Sequence, residues 1–375
     1  MYDHDDILNK LNHNISLGEK IRFLHGALAE RFPSIDRISA AIYDPKSDIL
    51  KTFVHSSGGD DPLSHYQASL AESRALREIL EKGRPRVVND LAIFAAGGHA
   101  HTLQIRTQGY RSSYTMPMFL NGVFFGFIFF NSYTKDPFTN DSLHYLDLFG
   151  HLISLIIINE VSSIQTLLAA VKTARDVTHH RDVETGAHLD RMSRFAQLIA
   201  REMADKYQFT DDYIEHVFLF APLHDIGKIG IPDSILLKPG KLTEQEFMNM
   251  QQHVVKGRRI IDEMLENFGF DSIQHVDILR NIATYHHEAV NGSGYPQGLE
   301  GVAIPIEARI VAVADVFDAL TSRRPYKEPW SNEDAFTTLR RLAGVSLDRE
   351  CVDALECHRP EVEAIQARFQ EDQIG

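Results

Sequence analysis

Glu184, His188, His224, Asp225, His253, His286, His287 and Asp315 are the residues of this chain whose types and spacing suit metal chemistry. His188 follows Glu184 by four residues, so on a helix both project from one face, as metal ligands or as a solvated contact. His224 and Asp225 close the apolar run Val217-Phe-Leu-Phe-Ala-Pro-Leu, where a buried polar pair is costly unless paired or ligating. Imidazole nitrogen with carboxylate oxygen suits borderline first-row metals, and the lack of thiolate argues against structural zinc or an iron–sulfur cluster.

A carboxylate can bridge two ions, which a histidine cannot, and Asp225 is the natural bridge. Two ions about 3.5–4 Å apart can hold both phosphate oxygens and balance the charge of in-line phosphodiester hydrolysis. Lys228, one turn on, could donate to the phosphate or protonate the leaving oxygen; it could also simply pair with a carboxylate. The adjacent His286 and His287 should diverge and serve different ions or different sides of a cluster. Asp315 sits in the apolar stretch Ile310-Val-Ala-Val-Ala-Asp315, as a ligand, a cap or an ion-pair partner. His253, among Gln251, Gln252 and Lys256, is the weakest candidate, because a solvated histidine would be ordinary there.

The elements that must position these residues fall in the second half of the chain. Helical periodicity covers Glu184 to Tyr207, Asp211 to Leu223, Thr243 to Phe268, Ile273 to His287 and Ile306 to Thr321, with Gly- and Pro-rich loops between them. The first half is mixed. Helical spacing over Asp6 to Phe32 precedes strands at Ile38 to Tyr43 and Ile49 to Val54. A helix from about Leu63 to Glu81 follows, then strands at Arg86 to Val88, Ser113 to Phe119 and Val123 to Asn131. Asn121-Gly122 marks a hairpin turn between the last two. Between the halves, Leu146, Ile153, Ile157, Ile164, Leu167, Val171 and Ala174 fall near a 3-4 spacing, which predicts a long joining helix with a dimer seam, the alternative being a core helix of either flanking domain.

The chain has 375 residues, enough for two or three domains. Lys and Arg number 38 against 52 Asp and Glu, a net charge of −14, which argues against broad binding of DNA, RNA or acidic membranes. Cys351 and Cys357 exclude a disulfide framework and suit a reducing cytosol. The apolar runs Val123 to Phe130 and Leu143 to Ile158 are too short or too interrupted to span a bilayer, and the acidic N-terminus is unlike a signal peptide. These observations predict a cytoplasmic protein without a membrane partner.

Helix, two strands, helix, late hairpin and closing helix make a layout that resembles a GAF sensor domain; a general α/β dimerisation module shares it. In the second half, His224-Asp225-Ile-Gly-Lys228-Ile-Gly-Ile-Pro-Asp, His286-His287-Glu288 with Gly292-Ser-Gly294-Tyr295-Pro296, and Ala314-Asp315-Val-Phe-Asp-Ala-Leu-Thr resemble the HD-GYP branch of the HD phosphohydrolase superfamily. The resemblance covers about Val177 to Glu356.

It implies a phosphodiesterase that opens the cyclic dinucleotide c-di-GMP to pGpG, and in some members on to GMP, at a bi- or trinuclear iron or manganese centre. Glu184, His188, His224, Asp225, His253, His286, His287 and Asp315 match the family's ligands, and Glu184 favours three ions over two. Arg324 and Lys327 match positions that hold the second phosphate, where guanidinium gives bidentate geometry and ammonium a point charge. Tyr295 could stack on or bond to a guanine, or serve only the loop's shape. Ala289, Asn291 and Val254 depart from residues common in the family; none is a ligand position.

The expected architecture is therefore multidomain. A GAF-like α/β domain with an antiparallel sheet takes residues 1–150, a connecting helix 140–176, and an all-α HD-type domain 177–375. The sensor would take an unidentified small-molecule or protein input, and the chain would form a homodimer. Hydrolysis of a hybrid cyclic dinucleotide and a silent c-di-GMP receptor are the competing readings.

Overall fold

A computed structural model describes residues 4–58, 65–94, 108–177, 186–269, 274–322 and 328–370. It divides into two units, Met1–Ser162 and Ser163–Gly375, with the boundary inside the long helix.

In the first unit six strands form one antiparallel sheet: β1 (Arg37–Asp44), β2 (Ile49–Ser57), β3 (Gln67–Ser69), β4 (Arg86–Val88), β5 (Ser112–Leu120) and β6 (Val123–Ser132). Their order is β3-β2-β1-β6-β5-β4. Asn121 and Gly122 both take positive φ, 49° and 81°, the geometry that closes a two-residue hairpin between β5 and β6. Helix α1 (Leu17–Arg31) and the start of α3 (Asn140–Val177) pack on one sheet face through Leu24, Leu28, Ile38, Phe130, Leu146 and Ile153. Helix α2 (Arg74–Lys82) covers the other face through Leu76 and Ile79 against Phe127 and Phe129.

Two expected helices are shorter than their periodicity suggested. Before α1 the chain makes only a 3₁₀ turn at Asn9–Asn12, because Ser16 and Glu19 form a reciprocal capping box that starts the helix at Leu17. The helix expected from Leu63 begins at Arg74, since Gln67–Ser69 instead pairs with β2.

The stripe expected to form a dimer seam on α3 is also corrected. Leu146, Ile153 and Ile157 lie in the first unit's core, and Ile164, Leu167 and Val171 lie in the second unit's core. By length and composition Asn140–Val171 could cross a membrane, contrary to the sequence expectation, but this buried stripe is committed to protein cores.

The second unit is helical. It comprises α4 (Gly186–Glu202), α5 (Ala204–Tyr207), α6 (Asp211–Phe220), α7 (Asp233–Leu236), α8 (Glu244–Gln251), α9 (His253–Phe268), α10 (Val276–Tyr285), α11 (Ile306–Thr321), α12 (Asn332–Leu342), α13 (Arg349–Cys357) and α14 (Arg359–Arg368). Its core joins Phe195 and Ile199 of α4, Phe220 of α6, Ile282 of α10, and Val313 and Phe317 of α11. The single helix expected over Thr243 to Phe268 breaks at Gln252 into α8 and α9, and the break makes His253 the first residue of the second helix.

Candidate metal centre

His224 and Asp225 follow a 3₁₀ turn, Ala221–Leu223, that ends α6. The turn lets His224 Nδ1 donate to Ala221 O at 2.9 Å. His253 Nδ1 donates to Met250 O at 2.7 Å and His286 Nδ1 to Ile282 O at 2.8 Å. A carbonyl can only accept, so each of these rings carries its proton on Nδ1, and its Nε2 presents a lone pair in the neutral form. Three separate helix ends thus orient three buried imidazoles in the same way.

Those lone pairs converge on Asp225. Its Oδ1 stands 3.0 Å from His253 Nε2 and 3.6 Å from His286 Nε2. Its Oδ2 stands 3.3 Å from His224 Nε2 and 2.6 Å from Lys228 Nζ. Burial pushes the Asp225 carboxyl up, but the positive charge of Lys228 beside it holds it well below the usual carboxylate range. Burial pushes His286 and His287 down, towards the neutral, ligating form.

The ligand atoms form two groups. Asp225, His253, His286 and His287 make one and His188, His224 and Asp315 the other, with the atoms of each within 4.8 Å of one another. His286 and His287 were expected to diverge; instead their ring centroids lie 4.1 Å apart and both join the first group. His253, expected to be the weakest candidate, is only 2 % exposed. Asp315, expected in an apolar helix, is half-buried on α11 with Oδ1 3.8 Å from His188 Nε2. The donor set fits first-row divalent metals: buried imidazole lone pairs face ionised carboxylate oxygens, an arrangement that repels itself unless a cation or proton lies between.

Gly227 holds the two halves of the first group together. A Cβ there would come within 1.8 Å of His253 O and 2.5 Å of Gly257 N, so only glycine lets the turn after Asp225 lie against the start of α9. Gly294 acts similarly. A Cβ there would meet Ala289 N at 2.2 Å, so glycine folds the Tyr295 loop back onto the chain just after His287. Tyr295 then lies with its ring 4.8 Å from that of His287 and 6.3 Å from that of His253.

Three positioning residues had no role in the sequence reading. Asp318, fully buried, accepts from His188 Nδ1 at 2.7 Å and is itself held by Arg191 Nε at 2.6 Å and Ser322 Oγ at 2.8 Å. The signal available was a second acid three residues after Asp315 on the same apolar helix. Glu288 accepts from the backbone N–H groups of Gln297 at 2.7 Å and Leu299 at 2.9 Å, which ties down the loop that carries Tyr295. Asn291, a departure from the family pattern, orders the same loop by accepting from Ser293 Oγ at 2.7 Å. Glu184, Arg324 and Lys327 lie outside the described residues.

The HD domain family model matches residues 183–351, and the GAF domain model matches residues 30–157. Among curated proteins, the cyclic di-GMP phosphodiesterase response regulator RpfG of Xanthomonas campestris pv. campestris is 46% identical over 51% of this chain and 47% of its own length. A probable cyclic di-GMP phosphodiesterase of Vibrio cholerae is 43% identical over 50% of this chain and 43% of its own. The 3'3'-cGAMP-specific phosphodiesterase 2 of Vibrio cholerae is 40% identical over 50% and 34%. The matched region thus spans less than half the length of each of these relatives. The chain carries a GAF domain over residues 30–157 and an HD domain over residues 183–351.

Proposed function

We propose that the helical unit is a metal-dependent phosphodiesterase that opens c-di-GMP to pGpG, with GMP as a further product, under control of an input to the GAF domain. The observation that carries this reading is Asp225, whose two oxygens face imidazoles of the two ligand groups. Iron or manganese suits the nitrogen and oxygen donors, and three ions are favoured over two because Glu184 adds a carboxylate to the set. When bound, such ions act as Lewis acids that activate water and neutralise the charge developing on the phosphate.

The protein's own residues do the rest. His188, His224, His253, His286, His287 and Asp315 hold the centre, and the backbone carbonyls and Asp318 keep their rings turned inward. Lys228 Nζ, beside Asp225 Oδ2, is placed to give a proton to the departing 3′ oxygen. Arg324 and Lys327 hold the second phosphate, and Tyr295 borders the side of the centre where a base leaves it.

A hybrid cyclic dinucleotide is the second reading, supported by the relatives named for 3'3'-cGAMP. The silent-receptor reading has no such support, since every proposed ligand among the described residues falls in one of the two groups. Chromatography of products after anaerobic incubation with each dinucleotide, with and without chelator, decides between them. Chelator-sensitive pGpG or GMP from c-di-GMP is the expected result; product from cGAMP alone would favour the second reading.

The homodimer belongs to this proposal through a different face of α3. Leu148 and Leu155 are 64 % and 60 % exposed, and with half-buried Leu152 they keep a 4-3 spacing suited to pairing with a second copy.

A further inference from the structure

We infer that Phe247 is a further substrate-binding residue: its exposed ring, set nearly perpendicular to that of Tyr295, offers a stacking face for a nucleobase of the bound dinucleotide. The inference rests on the phosphodiesterase reading and names a residue to which the motifs give no role. Phe247 lies on α8, and its ring centroid is 6.5 Å from that of Tyr295 at an interplanar angle of 83°. Tyr295 in turn meets His287 of the first ligand group at 4.8 Å. The three rings make a row that runs outward from the metal ligands, so a base attached to the scissile phosphate has an aromatic path beside it.

Phe247 is not there to anchor its helix. Helix α8 buries none of its residues, and Phe247 itself is 49 % exposed. Polar contacts hold the helix instead. Thr243 and Glu246 form a capping box at its start, Lys238 Nζ donates to Glu246 Oε2 at 2.5 Å, and near its end Met250 O accepts from His253 Nδ1. An exposed aromatic ring on a helix fixed by other means, turned edge-on to Tyr295, is available to a planar ligand. Stacking also tolerates either purine, because every base offers a π face.

The test compares full-length wild type with Phe247→Ala, Phe247→Leu and Phe247→Trp, using c-di-GMP and the base-free diester bis(p-nitrophenyl) phosphate. The ratio of kcat/KM for c-di-GMP to that for the simple diester should fall about ten-fold in Phe247→Ala, through KM, with Trp restoring it and Leu failing to. An unchanged ratio, or rescue by Leu as complete as by Trp, would overturn the stacking role. A wild-type chain inactive on both substrates would contradict the phosphodiesterase reading instead. Calorimetric binding of c-di-GMP would then decide the stacking role, with weaker binding by Phe247→Ala supporting it and equal affinity overturning it.

Discussion

Asp318 Oδ2 accepts from His188 Nδ1 at 2.7 Å, so a carboxylate with no access to solvent decides which nitrogen of a candidate metal ligand faces the centre. Arg191, through Nε at 2.6 Å and Nη2 at 2.9 Å, keeps that carboxylate in place and ionised. Replacing Asp318 by Asn keeps the shape but weakens the hold on His188. Competition with a chelator should show metal affinity reduced about 10- to 100-fold in Asp318→Asn, with the helical circular dichroism retained. Undiminished affinity would remove Asp318 from the site.

Gly227→Ala should act at a distance from any ligand atom. The added methyl group meets His253 O and Gly257 N, and the start of α9 must move to admit it. Overpacking of this kind costs about 1–3 kcal/mol, and a displaced His253 should lower kcat about 100-fold. Thermal unfolding and turnover of the variant check both; wild-type values in each would show that the close approach does not matter.

The exposed leucines of α3 give a separate prediction. Leu148→Glu with Leu155→Glu should convert a dimer to a monomer in sedimentation, without loss of secondary structure, because neither side chain is buried in its own unit. A wild-type monomer, or a double variant that stays dimeric, would contradict the seam.

His216 predicts a pH dependence of stability. Burial, aided by the neighbouring His275, pushes it down from the usual imidazole value to about 4. Its Nδ1 donates to Asp212 O, while His275 Nε2 pairs with the Asp212 carboxylate at 2.8 Å. Because the folded value lies below the unfolded one, its contribution is complete above pH 6.5 and is lost as the pH falls towards 4. The whole difference is about 3 kcal/mol. Urea unfolding with chelator present should therefore show a shallower acid decline in His216→Gln than in wild type. Parallel declines would refute this.

Part of the candidate centre was legible because His224, Asp225, His286, His287 and Asp315 sit in contiguous motifs, where residue type and helix position carry the information. His253 was undervalued because its neighbours in sequence are polar; what buries it is the turn at Gly227, 26 residues earlier. Asp318 and Glu288 lie inside the Asp315 and His286-His287 motifs, yet their work depends on His188 and on the loop after Tyr295, partners that sequence spacing does not reveal. On α3 the period of the apolar residues announced a helix but not which surface covers each stripe. Leu146 and Ile153 went to the domain core, and the exposed stripe at Leu148 and Leu155 lies on another face.

If Asp225 joins two groups of ligands around a metal centre, its loss should empty that centre of metal. Full-length wild type and Asp225→Asn, purified anaerobically with iron or manganese, should be compared by mass spectrometry of the metals. Wild type should hold about two to three ions per chain, and the variant should lose nearly all of them. Equal metal content in the two proteins would contradict the joining role of Asp225.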